Sequence, residues 1–297
     1  SSTSRGLGDV YKRQAYGGML GPIIPPSVMF VVYSTLAQVA VGDMLVAGIV
    51  PGIILTVLFC TIIAVLGVVH KFPSGERRSW RERATTVLHA APTLLIPIVI
   101  VGSILAGIAN ATESAAVGVV VAALVGRFFT KEFHFSRLPE MLLRAGVYSA
   151  IVLFLVAAAS VFSWVLVYGK IPQAIAESVQ QIAKDPTTFL LLVSLALLVI
   201  GTVIDGVPGL IMTVPILLPI ATEVYGIDPR HFGVVVVVNL VLGLLSPPVG
   251  LCFFVAAAVT GASPGRMFKV TLPFFMVACV LLVFLCVYPS LSLVLLK

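Results

Sequence analysis

Apolar residues fall in long runs that recur from one end of the 297-residue chain to the other. Candidate membrane helices lie at residues 28–41, 44–69, 92–126, 146–168, 187–204, 208–224, 232–260 and 270–295. The chain is 60% hydrophobic and 10% charged, with a mean hydropathy of +1.16, which is outside the range of soluble domains. The pattern therefore predicts an all-α polytopic membrane protein.

A seven-residue pattern, Leu-Gly-x-x-x-Pro-Pro, occurs twice within these runs, at residues 20–26 and 242–248. A Pro-Pro pair removes two backbone donors and blocks the helical bond to the preceding turn. In hydrocarbon the freed carbonyls need partners, so such breaks persist where they line a cavity or bind an ion. Two matching breaks predict a substrate or ion site at a repeat interface, as in a secondary transporter.

The segments after the two breaks also correspond. An apolar run leads to Gly42-Asp43-Met44-Leu45 and Pro51 in the first copy, and to Gly265-Arg266-Met267-Phe268 and Pro273 in the second. We interpret each copy as a broken helix, a short amphipathic turn and a further span, which together predict an inverted repeat. Asp43 and Arg266 occupy matched positions and are expected at a solvated interface.

A helical hairpin is predicted before the second break. The sequence Asp205-Gly206-Val207-Pro208-Gly209 cannot continue one helix, and it separates two short apolar arms at 187–204 and 209–221. We place the tip at Asp205–Pro208, with both arms entering from one side of the membrane. The matching hairpin of the first repeat is expected to precede Gly17, in an N-terminal part that we expect to be missing.

Four regions follow from these features. Residues 1–14 (SSTSRGLGDVYKRQ) are polar, lack the apolar core of a signal peptide and suggest a non-native scar. Residues 15–69 are predicted to hold the end of the first repeat, and residues 70–186 a scaffold with an interfacial arm. Residues 187–297 are predicted to form the second repeat, with a hairpin, a broken helix and the final spans.

Six stretches together give the chain a specific resemblance to the large membrane subunit, of DctM type, of tripartite ATP-independent periplasmic (TRAP) transporters. They are Leu20–Ser27 (LGPIIPPS), Gly42–Gly52 (GDMLVAGIVPG), Asn110–Ala116 (NATESAA), Pro215–Ala221 (PILLPIA), Gly226–Phe232 (GIDPRHF) and Asn239–Gly250 (NLVLGLLSPPVG).

The resemblance implies an elevator-type, sodium-coupled importer in the bacterial inner membrane. Its substrate would be an organic acid, such as a C4-dicarboxylate or an acidic sugar, delivered by a periplasmic binding protein. A small membrane subunit would complete the complex. We also predict no organic cofactor and no enzymatic activity, and no nucleic-acid partner because the basic residues cluster in two interhelical segments.

Candidate sodium ligands lie at the breaks and at the hairpin tip. Sodium needs about five or six oxygens, and an unwound helix supplies carbonyls without formal charge. We predict one site between the tip and the second break, using Thr202, Asp205, Gly206, Leu244, Leu245, Ser246 and Gly250, and an equivalent site at Gly21, Pro22 and Ile23. Asp205 has a second interpretation, because it can also cap the returning arm.

Substrate contacts are predicted from small polar groups at the breaks. Ser27 and the amides after Pro248 are candidates. Asn239 is a further candidate, with hydrogen bonding to the freed backbone of the second break as the alternative. The cysteines show no metal-ligand spacing, so we predict no metal other than sodium.

Other polar residues suggest structural roles. Asn110 or Thr112 followed by Glu113 predicts a helix start within residues 92–126, and Asp228-Pro229-Arg230-His231 predicts another. The net charge of +6 comes largely from His70–Arg83 and Arg127–Arg144, which favour the cytoplasmic side and anionic headgroups. We predict that Phe128–Phe135 forms a helix lying in the membrane interface.

Two alternatives remain open, and a third is disfavoured. One is a sodium/proton antiporter or a single-component anion carrier on a related inverted-repeat fold. A second is a structural membrane subunit. An intramembrane aspartyl protease is disfavoured because Asp205 lacks the preceding Gly-x-Gly and an obvious second buried acid, and the motifs of serine hydrolases, zinc proteases and P-loop ATPases are absent.

Overall fold

The computed structural model of the chain describes residues 20–69, 79–131, 133–244, 246 and 264–296, and every regular element in them is helical. The helices are α1 Val28–Ala37, α2 Val41–Val69, α3 Trp80–Leu105, α4 Ala111–Phe128, α5 Leu138–Tyr168, α6 Ile171–Gln180, α7 Pro186–Gly201, α8 Gly206–Pro219, α9 Pro229–Gly243, α10 Pro264–Val287 and α11 Ser290–Leu293. A 3₁₀ turn at Phe135–Arg137 precedes α5, and a π-helical turn at Ile220–Val224 continues α8. The all-α prediction is confirmed over the described residues.

Several helices are long and apolar enough to cross a membrane. Among the described residues these are Val41–Val69, Ala111–Phe128, Phe135–Tyr168 and Gly206–Val224. The bent pair Trp80–Leu88 and Ala91–Leu105, which meet at 51°, adds a fifth if it is one span. The chain is therefore a multi-pass membrane protein.

The chain divides into two compact units. The first comprises Ser1–Ala64 and Leu155–Lys297, and the second comprises Val65–Phe154. All the candidate sodium and substrate residues that the structure describes belong to the first unit.

Helix α9 forms the core of the first unit. Its residues from His231 to Gly243 are all buried, and it packs against α1, α7, α8 and α10. The run Val234–Val238 makes α9 apolar on every face. A helix of this kind is stable when other helices or lipid surround it, and here other helices do. The core of this unit therefore lies along the helix that precedes the second break.

Helices α7 and α8 form a hairpin closed at its base. The ring of Phe189, near the start of α7, stacks on the ring of Tyr225 beyond the π-helical turn, with centroids 4.4 Å apart. The Tyr225 hydroxyl donates to the Ala183 carbonyl at 2.8 Å. The returning arm thus ends beside the start of the first arm.

The second unit contains an antiparallel pair, α3 and α4. The Ser103 hydroxyl donates to the Ser114 hydroxyl at 2.8 Å. Asn110 caps α4 by accepting from the Glu113 amide at 2.9 Å, and the Glu113 carboxylate accepts from the Asn110 amide at 2.9 Å. The predicted break and helix start within residues 92–126 are confirmed, and Glu113 has the structural role expected of it.

Three features differ from the sequence-based expectations. Phe128–Phe135 is not an interfacial helix, because α4 ends at Phe128 and Lys131 adopts a φ of 58° that reverses the chain. Gly42–Leu45 is not a separate turn but lies in the first turn of α2, where Asp43 is favoured by the helix dipole. Helix α6 was not predicted, because it is short and only half apolar.

Candidate functional site: the ends of interrupted helices

The first break is a compact turn that leads into α1. The amides of Ile23 and Ile24 both donate to the Leu20 carbonyl, at 3.1 and 2.8 Å. The buried Ser27 hydroxyl accepts from the Phe30 amide at 3.4 Å and donates to the Pro22 carbonyl. Ser27 is therefore the N-cap of α1 and ties the helix to the turn before it.

Helix α2 lies directly against this turn. A Cβ atom built on Gly48 would meet the ring of Phe30 at 2.2 Å and the Ile23 carbonyl oxygen at 3.1 Å. One turn later, a Cβ atom on Gly52 would lie 3.0 Å from the Ile24 side chain. Glycine at these two positions lets α2 pack closely against the turn and the start of α1.

The hairpin tip combines a buried hydroxyl with an exposed acid. The Thr202 hydroxyl is buried and donates to the Val199 carbonyl at 2.8 Å. Asp205 is exposed, and its Oδ1 accepts from the Gly206 amide at 2.8 Å. The capping interpretation of Asp205 is confirmed, and its carboxylate is accessible to an ion.

At Gly206 the tip lies beside the start of α1 and the start of the second break. A Cβ atom on Gly206 would lie 2.8 Å from Met29 Cε and 3.9 Å from Leu244 Cδ1. Met29 belongs to the first turn of α1, and Leu244 follows α9 in the second break. The structure thus brings together the tip, the start of α1 that follows the first break, and the start of the second break.

A glycine pair that sequence reasoning did not assign to the site joins α7 to α9. A Cβ atom on Gly243 would lie 2.5 Å from Gly201 Cα, and a Cβ atom on Gly201 would lie 3.1 Å from Gly243 Cα. The two backbones therefore touch where both helices end. Gly243 is the glycine of the second Leu-Gly-x-x-x-Pro-Pro copy. Its place in this pattern is the sequence feature that could have assigned it to the site.

These helix ends carry opposite partial charges. The C-termini of α7 and α9 meet at Gly201 and Gly243, and C-terminal carbonyls carry partial negative charge. The N-termini of α1 and α8 meet at Met29 and Gly206, where partial positive charge gathers. The arrangement offers carbonyl oxygens to a cation and amide dipoles to an anion within one small region.

Asn239 lies in the core, one turn before Gly243. Its Nδ2 donates to the Ser194 hydroxyl at 3.0 Å and to the Val235 carbonyl at 2.8 Å. Its Oδ1 is buried and has no hydrogen-bond partner among the described residues. The Ser194 hydroxyl also lies 3.5 Å from Cys286 Sγ, so the cluster spans α7, α9 and α10.

A charged cluster lies at the opposite end of α9. Arg230 donates from Nε and Nη2 to the two carboxylate oxygens of Asp228, at 3.0 and 2.7 Å, and from Nη1 to Asp43 at 3.4 Å. The Tyr33 hydroxyl donates to the Pro229 carbonyl. The hydrogen bonds from Arg230 hold the pKa of the Asp228 carboxyl below its ordinary value. The predicted helix start at Asp228–His231 is confirmed.

The remaining predicted site residues are only partly described. Ser246 is buried, and its amide donates to the Gly243 carbonyl at 2.9 Å. Leu245, Pro248 and Gly250 lie outside the described residues. Among the described residues there is no cluster of three or more His, Cys, Asp or Glu side chains that could hold a metal ion.

Comparison with known proteins gives consistent matches. Residues 14–291 match the family described as the DctM component of the tripartite ATP-independent periplasmic transporter. The C4-dicarboxylate TRAP transporter large permease protein DctM of Pseudomonas aeruginosa is 38% identical over 278 residues, which are 94% of this chain and 65% of that protein. The sialic acid TRAP transporter large permease protein SiaM of Vibrio cholerae is 30% identical over 277 residues, 93% of this chain and 65% of that protein.

A third relative has a different substrate in its name. The isethionate TRAP transporter permease protein DctMQ of Oleidesulfovibrio alaskensis is 33% identical over 268 residues, which are 87% of this chain and 41% of that protein. The chain therefore spans less than two thirds of the length of these curated relatives. The matched family consists of transporter components, which agrees with the expectation that the chain is not an enzyme.

Proposed function

This chain belongs to the family of DctM components of tripartite ATP-independent periplasmic transporters, and on that premise we propose that it forms part of a sodium-coupled importer of an organic acid. The observation that carries the proposal is the convergence at Gly206 of the hairpin tip with Met29 and Leu244, beside the contact of Gly201 with Gly243. Interrupted helices that end together near the membrane midplane are how secondary transporters bind ions and anionic substrates.

We propose that sodium binds at the ends of α7 and α9. The partial negative charges of two adjacent helix C-termini favour a cation between them, and the exposed Asp205 carboxylate supplies a formal charge. The predicted ligands are Thr202, Asp205, Gly206, Leu244 and Ser246, with Leu245 and Gly250 from the rest of the second break. An equivalent site is proposed at Gly21, Pro22 and Ile23.

The substrate is proposed to bind at the N-terminus of α1, because the Asp205 carboxylate already lies at the N-terminus of α8. Amide dipoles at the start of α1 suit a carboxylate, and Ser27 caps this helix. Pro248 and Asn239 remain proposed contacts. The names of the relatives support small organic acids as the substrate class, including C4-dicarboxylates and sialic acid.

The partners and the transport movement are proposed from membership of the matched family. A periplasmic binding protein would deliver the substrate, and a small membrane subunit would complete the complex in the bacterial inner membrane. We propose an elevator movement of inverted repeats, with residues 15–69 and 187–297 in the repeats and 70–186 in the scaffold. The repeat is supported by Pro51 in α2 and Pro273 in α10, which lie at similar distances from the starts of their helices.

Uptake in proteoliposomes tests the proposal. The chain is assayed as it stands and as a chimaera in which it replaces the matching region of the Pseudomonas aeruginosa relative. Radiolabelled dicarboxylate is supplied with and without an inward sodium gradient, a small subunit and a binding protein. Uptake that needs the sodium gradient and the binding protein supports the proposal. Uptake driven by a proton gradient alone favours a proton-coupled antiporter or symporter, and uptake without a binding protein favours a single-component carrier.

The Asp205→Asn variant tests the sodium site without removing the helix cap, because Asn caps helices as well as Asp does. We expect the sodium concentration needed for half-maximal uptake to rise by roughly tenfold or more, as for loss of a charged ligand. Ser246→Ala should act in the same direction with a smaller effect. Asp185→Asn is the matched control, because Asp185 caps α7 at the base of the same hairpin. Unchanged sodium dependence in both Asp205→Asn and Ser246→Ala would refute the site.

A further inference from the structure

The antiparallel pairing of α3 and α4 places the start of the apolar part of α3 beside the end of α4. Ser103 faces Ser114, and a Cβ atom on Gly118 would meet the Ile100 side chain at 2.6 Å. The two helices therefore run antiparallel, and residues earlier in α3 lie beside residues later in α4. The apolar part of α3, Ala91–Leu105, therefore begins about level with the end of α4 at Phe128.

The connection after α4 is short and folds back on the helix. The Phe133 amide donates to the Gly126 carbonyl at 3.0 Å, and the Phe133 ring meets the Phe135 ring edge to face, with centroids 5.3 Å apart. The 3₁₀ turn then leads directly into α5. Because Ala111–Phe128 and Phe135–Tyr168 are both apolar enough to cross a membrane, this connection must lie where the hydrocarbon ends.

The connection is rich in exposed cations and exposed aromatic rings. Arg127, Lys131 and Arg137 are exposed, and within the described residues they form no salt bridge. By contrast, Arg144 is paired with Glu140 at 2.7 Å. Three phenylalanine rings, those of Phe128, Phe129 and Phe135, are 67–69% exposed.

We propose that Arg127–Lys131 together with Phe133–Arg137, here called the basic turn, binds anionic phospholipid headgroups of one leaflet. The three cations match the negative charge of the headgroups, and the rings enter the boundary between headgroups and acyl chains. Long Lys and Arg side chains near the ends of membrane helices reach the headgroups readily.

Lipid retention tests the proposal independently of transport. The purified chain is incorporated into nanodiscs of phosphatidylcholine with a minor fraction of phosphatidylglycerol, extracted gently, and analysed by native mass spectrometry for bound lipid. We expect enrichment of phosphatidylglycerol, with a loss of roughly fivefold in affinity for each cation replaced by Gln at low salt. Enrichment should fall at high ionic strength. The matched control replaces Lys170 and Lys184, exposed cations in other connections, with Gln.

Two further measurements keep the result interpretable. A variant with Arg127→Lys, Lys131→Arg and Arg137→Lys should retain the enrichment, which separates charge from folding. Phe129→Trp in a chain with Trp80 and Trp164 replaced by Phe should be quenched more by brominated phosphatidylglycerol than by brominated phosphatidylcholine. Two results would overturn the proposal. One is equal retention of phosphatidylglycerol by the wild type and by a variant with Arg127, Lys131 and Arg137 replaced by Gln. The other is the absence of quenching by either brominated lipid.

Discussion

Replacing Gly243 with alanine would place a methyl carbon 2.5 Å from Gly201 Cα and 2.6 Å from its carbonyl carbon. Carbon atoms pack best at about 3.5–4.0 Å, so α7 and α9 would have to separate by roughly 1 Å. The obstacle is backbone, which cannot move aside as a side-chain end can. Overpacking of this kind costs about 1–3 kcal/mol.

The glycines of the chain provide a graded series for this prediction. A Cβ atom on Gly201 comes no closer than 3.1 Å to any atom, and a Cβ atom on Gly102 in α3 meets nothing within 4 Å. The free energy of unfolding should therefore fall most in Gly243→Ala and less in Gly201→Ala. Gly102→Ala should be neutral or stabilising by up to about 1 kcal/mol, because alanine favours a helix.

Thermal unfolding in detergent measures the series, with and without sodium. About 2–4 °C per kcal/mol is typical of proteins of this size, so Gly243→Ala should lower Tm by roughly 2–12 °C. Sodium that binds only the folded protein raises Tm, and Gly243→Ala should lose this increase if the ion sits at the joined helix ends. A Gly243→Ala variant that melts with the wild type would refute the packing argument, whatever its sodium response.

Three other predictions concern the two ends of α9. In double-mutant cycles measured by thermal unfolding, Arg230 should couple more strongly to Asp228 than to Asp43, whose longer and more exposed contact contributes about 0–1 kcal/mol. Because its pKa is lowered in the folded protein, Asp228 stabilises above the ordinary pKa of about 3.9, and this contribution disappears as the pH falls through the lower folded value. The Tm difference between the wild type and Asp228→Asn should therefore be largest at neutral pH and vanish in acid; a constant difference would contradict this. Ser194→Ala should cost about 1 kcal/mol by removing one partner of the buried Asn239 amide, and an unchanged Tm would argue against that hydrogen bond.

The sequence predicted those helix boundaries that are set by a few neighbouring residues. The break within residues 92–126 was predictable because Asn110 and Glu113 form a capping box from neighbouring residues. The break at Asp205 was predictable because glycine and proline follow it. In both cases the same few residues that break the helix also satisfy the freed backbone groups.

Contacts between distant segments were not predictable in the same way. The approach of Gly201 to Gly243 depends on how α7 lies on α9, and a single glycine in an apolar run does not indicate its partner. The interfacial helix expected at Phe128–Phe135 was wrong because aromatic and charged residues suit a turn at the membrane boundary equally well. Helix α3 begins at Trp80, earlier than the apolar run, because its charged first turns are stabilised by the Ser79 cap.

The two arms of the hairpin differ in mechanical compliance. Helix α7 meets α9 backbone to backbone at Gly201, whereas α8 begins at Gly206 against the end of the flexible Met29 side chain. Methionine adapts its shape at little cost, so the start of α8 can shift while its contact with α1 is kept. Any opening of the tip would then be asymmetric. Helix α7 would stay fixed to α9 at Gly201, and the start of α8 would move relative to α1.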